Sequence, residues 1–505
     1  MTTPRPQHPA PRRSDAPPAR PQAPRPPIAD AAAAPELSDA AAQEALRARM
    51  FAQLEDKGLF RDAAARAFAY LDTIMERRVF PDDAALAGLA AFDAPLPERG
   101  APAEALIELL DRAGSPATVA QLGGRYFGFV NGSALPPALA ARWLTDVWDQ
   151  NPALHVISPV LGRIEATVEA WLAQLLGLPR GTAAGFVSGS STAIFAGLAA
   201  ARWRLLGRAG WDVNRKGLAG APALRVVAGE QAHGTVAKAA QLLGLGLDNV
   251  ERVPADAEGR IRADLVPELD ERTILILQAG NVNSGAFDDF ADLCARARAA
   301  GAWTHVDGAF GLWAAATRRF AHLTRGVELA DSWSVDGHKT LNTPYDCGIA
   351  LCADPEALIG AMQTDGAYIH WSAERDGMRT TPEMSRRARA VELWAALAFL
   401  GREGVETLLG ALHDNALRFA DALRAAGFEV LNEVVFNQVL VACGDDARTE
   451  AVMRRVQREG EAWAGGTTWR GCKAIRISVC SWATRPQDVD RAAAAFARAL
   501  RAEGG

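Results

Sequence analysis

The chain has 505 residues, room for two to four structural units at about 150 residues each. Hydrophobic residues make up 49% and charged residues 23%, the balance of a globular protein with a large core. Fifty-four Lys+Arg against sixty Asp+Glu leave a net charge of −6, which excludes a nucleic-acid binder carried by bulk basicity.

Residues 1–29 hold ten of the 28 prolines, five arginines and one acid, and almost no large apolar side chain. Such a segment buries too little surface to offset its ordering entropy, so residues 1–35 are expected to form a disordered tail. From Glu36 to Met75 the pattern turns helical, with Leu46, Met50, Leu54 and Leu59 recurring at three-to-five spacing. Pro81, Pro95, Pro97 and Pro102 then break it into short pieces. Ala138 to Trp148 is predicted helical and closes a helical amino-terminal segment over residues 36–150. A long helix from Leu161 to Leu176 ends at the Gly177-Leu178-Pro179 stop.

Beyond it, short β-rich runs alternate with helical ones. Leu224–Ala228, Ile274–Gln278, Trp303–Val306, Ser332–Val335 and Gly348–Cys352 are predicted strands. Val236–Leu243 and Phe287–Ala300 are predicted helices between them. The alternation implies an α/β fold with a mostly parallel sheet flanked by helices over residues 151–395. In such sheets ligands sit beyond the carboxyl ends of the strands. A long amphipathic helix is expected from Glu383 to Leu400. Residues 396–505 read as a smaller C-terminal α+β domain ending in the helix Val489–Arg501. Thr182–Ala201 lies in a charge-free stretch long enough to tempt a membrane assignment, but its Gly, Ser and Thr content argues against a span.

Six cysteines (Cys294, Cys347, Cys352, Cys443, Cys472 and Cys480) are scattered with no CxxC pair. That is too sparse for a disulfide scaffold and too dispersed for a zinc cluster. With no apolar h-region at the amino terminus, the expectation is a cytoplasmic protein with reduced thiols.

Four positions carry chemistry. Only five residues are lysine, so 49 of the 54 basic residues are arginine. Among the five, Lys339 stands in an Asp336-Gly337-His338-Lys339 turn just after a strand. Unlike arginine, a desolvated lysine forms an imine with an aldehyde. Asp307 ends an apolar strand and is followed by Gly308-Ala309, which leaves room for a flat ligand. Its carboxylate there can keep a pyridine nitrogen protonated. Ser188-Gly189-Ser190-Ser191-Thr192 opens a helix and offers N–H groups, hydroxyls and a favourable dipole to a phosphate. No GK[ST] follows, so it is not a P-loop. His233 stands at a strand-to-helix junction, where an imidazole can lie flat on an aromatic ring. Each has an ordinary alternative taken singly: a surface lysine, a turn aspartate, a helix cap, a structural histidine. In this order, at successive strand ends, they are what a sheet holding pyridoxal phosphate needs.

The chain here resembles the group II pyridoxal-phosphate decarboxylases, the aromatic-amino-acid, histidine and glutamate decarboxylases among them. The resemblance runs from about Tyr126 to the C-terminus. It rests on Tyr126-Phe127-Gly128-Phe129, Ser158-Pro159 with Glu165 and Trp171, and the Gly189 loop through Ala201-Arg202. Ala232-His233, Gly280 to Asp288, His305-Val306-Asp307 and Asp331-Ser332 through His338-Lys339 continue it. Ser385-Arg386-Arg387 leading to Leu393-Trp394, and Arg476-Ile477-Ser478, complete it. The resemblance implies a type I pyridoxal-phosphate transferase fold and a homodimer with active sites at the subunit interface.

It further implies that Lys339 holds the cofactor as an internal aldimine and that Asp307 pairs with the ring nitrogen. Ala309 would pack near the ring and His233 would stack on the opposite face. Ser190 and Ser191 would bind the phosphate with His338 beside them, and Arg476 would engage the substrate carboxylate. The implied reaction is α-decarboxylation of an L-amino acid.

The pattern is broken in places. Thr340 replaces the usual tryptophan, and Ile194 stands where the phosphate loop usually ends in a polar residue. Asn281-Val282 replaces a threonine pair, making Asn281 the candidate cofactor contact there. The stretch Met362–Arg386, where the family carries a mobile loop with a tyrosine proton donor, looks shortened. It has no tyrosine after Tyr368. An α-decarboxylase is therefore the leading expectation. Another reaction on the scaffold, such as transamination or carbon–carbon lysis, comes next, and a non-catalytic relative third.

Overall fold

The computed structural model describes residues 39–367 and 369–503. The predicted proline-rich tail (residues 1–35) and Tyr368 lie outside them. By internal contacts the chain divides into two compact units, one up to Ala65 and one from Arg66 onward. In the first, the helix Asp39–Asp56 ends at Lys57, whose φ of +59° interrupts the predicted run. A second helix, Gly58–Thr73, then continues beyond Ala65.

The second unit is built on a seven-stranded sheet. Its strands are β1 (Ala183–Val187), β2 (Arg225–Gly229), β3 (Val250–Val253), β4 (Thr273–Gln278), β5 (Trp303–Asp307), β6 (Ser332–Asp336) and β7 (Gly348–Cys352). They lie in the order β1-β7-β6-β5-β4-β2-β3. From β6 to β3 every pairing is parallel; β7 runs antiparallel to both β1 and β6. This is the expected mostly parallel α/β architecture. Every residue of β4, β5 and β6 is buried, as strands covered on both faces require. One face packs on the helices Ser190–Arg208, Gly234–Leu242 and Pro355–Met362. The other packs on Phe290–Ala299 and on a helix beginning at Ala390.

Two strands escaped the sequence. Ala183–Val187 has two alanines and a glycine, poor strand formers. Tertiary pairing makes it a strand, in register with β7 from Ala183↔Cys352 to Val187↔Gly348. Gly185 also lies against the Thr380 carbonyl, where a Cβ would collide. The four residues of β3 are half exposed and too short to show a period.

The predicted helix from Glu383 starts at Ala390 instead, because the residues before it are committed elsewhere. Thr381 Oγ1 donates to the Glu383 carbonyl, Arg386 pairs with Glu165, and Arg389 pairs with Asp346. The helix breaks at Gly401, whose φ is +58°, near its predicted end. A second helix then runs to Ala425. After it, β8 (Glu429–Val430), β9 (Gln438–Ala442), β10 (Gly465–Trp469) and β11 (Cys472–Ser478) form an antiparallel sheet in the order β10-β11-β9-β8. Phe419, Ile475, Ile477 and Phe496 share its core with the helices Asp446–Glu459 and Pro486–Ala502. The smaller α+β layer is thus present.

Candidate active site

Strands β1, β2, β4, β5 and β6 point the same way, so the segments leaving their carboxyl ends meet along one edge of the sheet. After β1, Gly189 caps the helix Ser190–Arg208, and its carbonyl accepts from the Thr192 and Ala193 N–H groups. The Ser190 and Ser191 N–H groups have no acceptor among the described residues. They are the free donors of a helix N-terminus. Gly189 is held by close packing: a Cβ on Gly348 would collide with its backbone, and one on Gly189 would lie 3.3 Å from His338 Cε1.

After β2, His233 caps the helix Gly234–Leu242. Its Nδ1 accepts from the Thr235 N–H at 3.3 Å and lies 2.8 Å from Thr235 Oγ1. The protein packed beneath the ring lowers its pKa, Asp307 opposes that shift, and Lys339 and Arg476 add to it. Those influences place His233 in the company of Asp307, Lys339 and Arg476.

Asp307 ends β5 and is 7% exposed. Its Oδ1 accepts from the Ala309 N–H at 3.2 Å and the Ser334 hydroxyl at 3.4 Å. Burial pushes its pKa up, while the charges of Lys339 and His233 pull it back. Ala309 is half-buried beside it, and its carbonyl accepts the Asp336 N–H. A cation placed against Asp307 would complete the arrangement, and a protonated ring nitrogen is such a group.

After β6 the chain turns through His338 and Lys339. His338 Nδ1 accepts from the Cys347 N–H at 2.9 Å, and the ring packs on Tyr345 with centroids 4.3 Å apart. Burial lowers its pKa, against the opposing pull of Asp336. Lys339 Nζ lies 3.2 Å from Asp336 Oδ2. The residue after it, Thr340, is buried and donates to the Phe310 carbonyl, which gives the departure at that position a packing role.

Arg476 reaches the same edge from β11. One guanidinium nitrogen donates to the Val282 carbonyl at 3.3 Å, while its buried Nε has no partner among the described residues. The structure therefore gathers Ser190, Ser191, His233, Asp307, Ala309, His338, Lys339 and Arg476.

Asn281 is the exception. Its Oδ1 accepts from the Asn283 and Ser284 N–H groups at 2.9 and 3.2 Å, and its Nδ2 faces Gly259 O and Gln278 Oε1. The side chain's hydrogen bonds all go to its own turn and to the neighbouring Gly259 loop.

Three features went unread in the sequence. Asp336, three residues before Lys339, was visible as part of the turn but had no assigned task. Tyr345 closes over His338 and donates to Asn131 Oδ1 at 2.8 Å, joining segments 214 residues apart. The third lies in the stretch where the family carries a mobile loop. Arg375 there is half-buried between Glu165 Oε2 at 3.0 Å and Glu169 Oε2 at 2.6 Å, and Arg386 meets Glu165 Oε1 at 2.7 Å. Burial would raise the Glu165 pKa, but Arg386 and Arg375 outweigh it and hold it low. Residues 375–386 are therefore fastened to the body.

The family model described as the pyridoxal-dependent decarboxylase conserved domain matches residues 91–442. The chain belongs to that family. Pyridoxal phosphate is accordingly its cofactor, and its class is that of the carboxy-lyases. Aromatic-L-amino-acid decarboxylase of Drosophila lebanonensis is 26% identical over 386 residues, covering 70% of this chain and 93% of that one. 4-Hydroxyphenylacetaldehyde synthase of Rhodiola rosea is 29% identical over 367 residues, covering 66% of this chain and 72% of that one. A solved structure of Oryza sativa TDC with PLP and tryptamine superposes with a TM-score of 0.81 at 24% identity, covering 89% of this chain and 98% of that one. The fold is thus that of the pyridoxal-phosphate decarboxylases.

The residues present fit the cofactor. The free N–H pair at Ser190 and Ser191 suits its phosphate, the buried Asp307 carboxylate suits its ring nitrogen, and Lys339 suits its aldehyde.

Proposed function

We propose that the protein is an amino-acid α-decarboxylase in which Lys339 anchors pyridoxal phosphate. The observation that carries this is the convergence of Lys339, Asp307, His233 and Arg476 at one edge of the sheet. When bound, the cofactor supplies an electron sink for the pair left behind as carbon dioxide departs.

The chain's residues do the rest. Ser190 and Ser191 hold the phosphate and so fix the ring's position, and Asp307 keeps the ring nitrogen protonated. His233 would lie against the ring face and limit its tilt. Arg476 draws in the substrate carboxylate with its unpartnered Nε, while the Val282 carbonyl braces the guanidinium. Lys339 would hold the cofactor's aldehyde carbon between turnovers, and its Nζ lies at the mouth of the sheet beside Asp336.

A second reading concerns the product. No tyrosine occurs between residues 369 and 386, and one matched relative bears the name of an aldehyde synthase. An outcome other than a simple amine is therefore the competing hypothesis.

We further propose a homodimer in the cytoplasm. The first helix leaves Leu46, Met50 and Leu54 exposed, and Pro136–Trp148 leaves Leu144, Val147 and Trp148 exposed. Burying these partly exposed side chains against a second copy would favour association, each by less than the about 1.5–3 kcal/mol of a fully exposed one. All six cysteines are free, as a reducing compartment favours. No helix among the described residues is long and apolar enough to cross a membrane.

The test is a screen of L-amino acids for carbon dioxide release by the wild-type protein and Lys339→Ala, with products identified by mass. Release with an amine product, absent in the variant, is expected. Turnover of an amino acid without carbon dioxide release would sink the decarboxylase reading.

A further inference from the structure

A cleft of about 740 Å³ opens where the helix Ser190–Arg208 ends, beside the short helix Val213–Lys216 and the helix Pro355–Met362. Trp203 lines it. At 1.5 Å of rise per residue, Trp203 stands about 20 Å along that helix from the free N–H group of Ser190. The cleft is therefore separate from the strand-end site, and none of the residues gathered there lines it.

Two half-buried tryptophans form its apolar walls, and each is fixed in place. Trp203 lies against the Gly360 backbone, where a Cβ would stand 2.5 Å from the indole. Trp211 donates from Nε1 to the Gly217 carbonyl at 2.8 Å, and Lys216 Nζ stands 4.8 Å from its ring centroid. Asn214 Nδ2 ties the two rims together by donating to the Gly360 carbonyl at 2.7 Å. Gly207 leaves the space beside them open, since a Cβ there would meet nothing within 4 Å.

The polar groups carry an excess of positive charge. The Arg215 guanidinium lines the cleft and has no hydrogen bond or ion pair among the described residues. Arg379 donates from Nε to Gln363 Oε1 at 2.9 Å, which orients its guanidinium and leaves both Nη groups without an acceptor. The nearby carboxylates are already engaged. Asp212 Oδ1 accepts from the Arg215 N–H at 3.2 Å, and Asp365 Oδ1 accepts from Gln363 Nε2 and Trp371 Nε1 at 3.4 Å each.

We propose that this cleft is a second small-molecule site, which takes a planar aromatic carboxylate. The ring would lie against Trp203 and Trp211, and the carboxylate would meet Arg215 and Arg379. Flat rings pack well on indole, and a guanidinium is the side chain best shaped for a carboxylate. The volume falls within the range of about 300–1,000 Å³ typical of small-molecule sites. The inference does not rest on any role given to the strand-end residues.

The experiment is calorimetry of the cofactor-loaded protein with indole-3-acetate. Indole-3-acetamide keeps the shape and removes the charge, and cyclohexylacetate keeps the charge and removes the flat ring. The cleft variants are Arg379→Gln and Gly207→Phe, the second of which grows a ring into the open space. Arg476→Gln is the control for indole-3-acetate held at the strand ends.

Wild type is expected to bind a single indole-3-acetate per chain, and Arg476→Gln to bind it equally well. Each cleft variant should bind it about tenfold more weakly or worse, and wild type should show the same loss with either analogue.

No binding by wild type at about 10 mM indole-3-acetate would overturn the proposal. So would equal binding by wild type and both cleft variants, or a loss confined to Arg476→Gln. Should both cleft variants fail to fold, wild type decides alone, and equal affinity for indole-3-acetate and indole-3-acetamide would overturn it.

Discussion

At the scale of single residues, the account turns on charges placed at strand ends. Asp307 is buried and accepts two weak hydrogen bonds, so its charge is available to a partner above it. Asp307→Asn keeps the shape and removes the charge. It is expected to lower kcat about 10²–10³-fold, the loss typical of one preorganised electrostatic group. Steady-state kinetics at saturating cofactor checks this, and an unchanged kcat would contradict it. Lys339, Asp307 and His233 were legible in the sequence because a residue type and a strand end coincide at each. Asn281 was less legible, because an amide after a strand looks alike whether it faces a ligand or its own turn. Asp336 was passed over because its two facing partners, Lys339 and the Gly189 loop, meet only once β1 and β6 share a sheet with β7 between them.

At the scale of elements, backbone packing positions the phosphate loop. Gly348 begins β7 directly against Gly189. Gly348→Ala is expected to displace the loop and weaken cofactor binding at least tenfold while the far end of the sheet stays intact. Titration followed by absorbance measures this, and wild-type affinity in the variant would contradict it. The loop after β4 adds a pH dependence. Asp288 is buried and accepts from the Gln278 and Ile261 N–H groups, and burial pushes its pKa up to about 7. An unfolded aspartate titrates near about 3.9. Between those values the folded chain keeps a proton that the unfolded chain has released. Asp288's contribution to stability is therefore full below about pH 4 and lost as pH rises through about 7. Asp288→Asn should show a smaller fall in Tm than wild type from pH 5 to pH 8, and parallel falls would contradict the assignment. Strand and helix positions in this half of the chain were legible where apolar runs are long. They were not at β1, where small residues fold as a strand only because β7 accepts them, nor before Ala390, where ion pairs displace helical hydrogen bonding.

At the scale of the whole molecule, the mostly parallel sheet followed from the alternation of elements, and the C-terminal part was legible as a smaller α+β unit without its strand order. The union of segments such as Asn131 with Tyr345 did not follow, because no local pattern encodes a contact across 214 residues. The apolar side chains left exposed on Pro136–Trp148 bear on assembly, with Val147 the most open of them at 79%. Val147→Asp is expected to shift the protein from about twice the chain mass to the monomer mass by light scattering, with the far-ultraviolet spectrum unchanged. An unaltered dimer would place the interface elsewhere.

The central claim is that pyridoxal phosphate is held by Lys339. Borohydride reduction of the loaded protein, followed by peptide mass mapping, tests it most directly. A pyridoxyl phosphate mass increment on the peptide carrying Lys339, with no increment on Lys57, Lys216, Lys238 or Lys473, is the predicted result. An increment on another lysine, or none after loading with the cofactor, would contradict it.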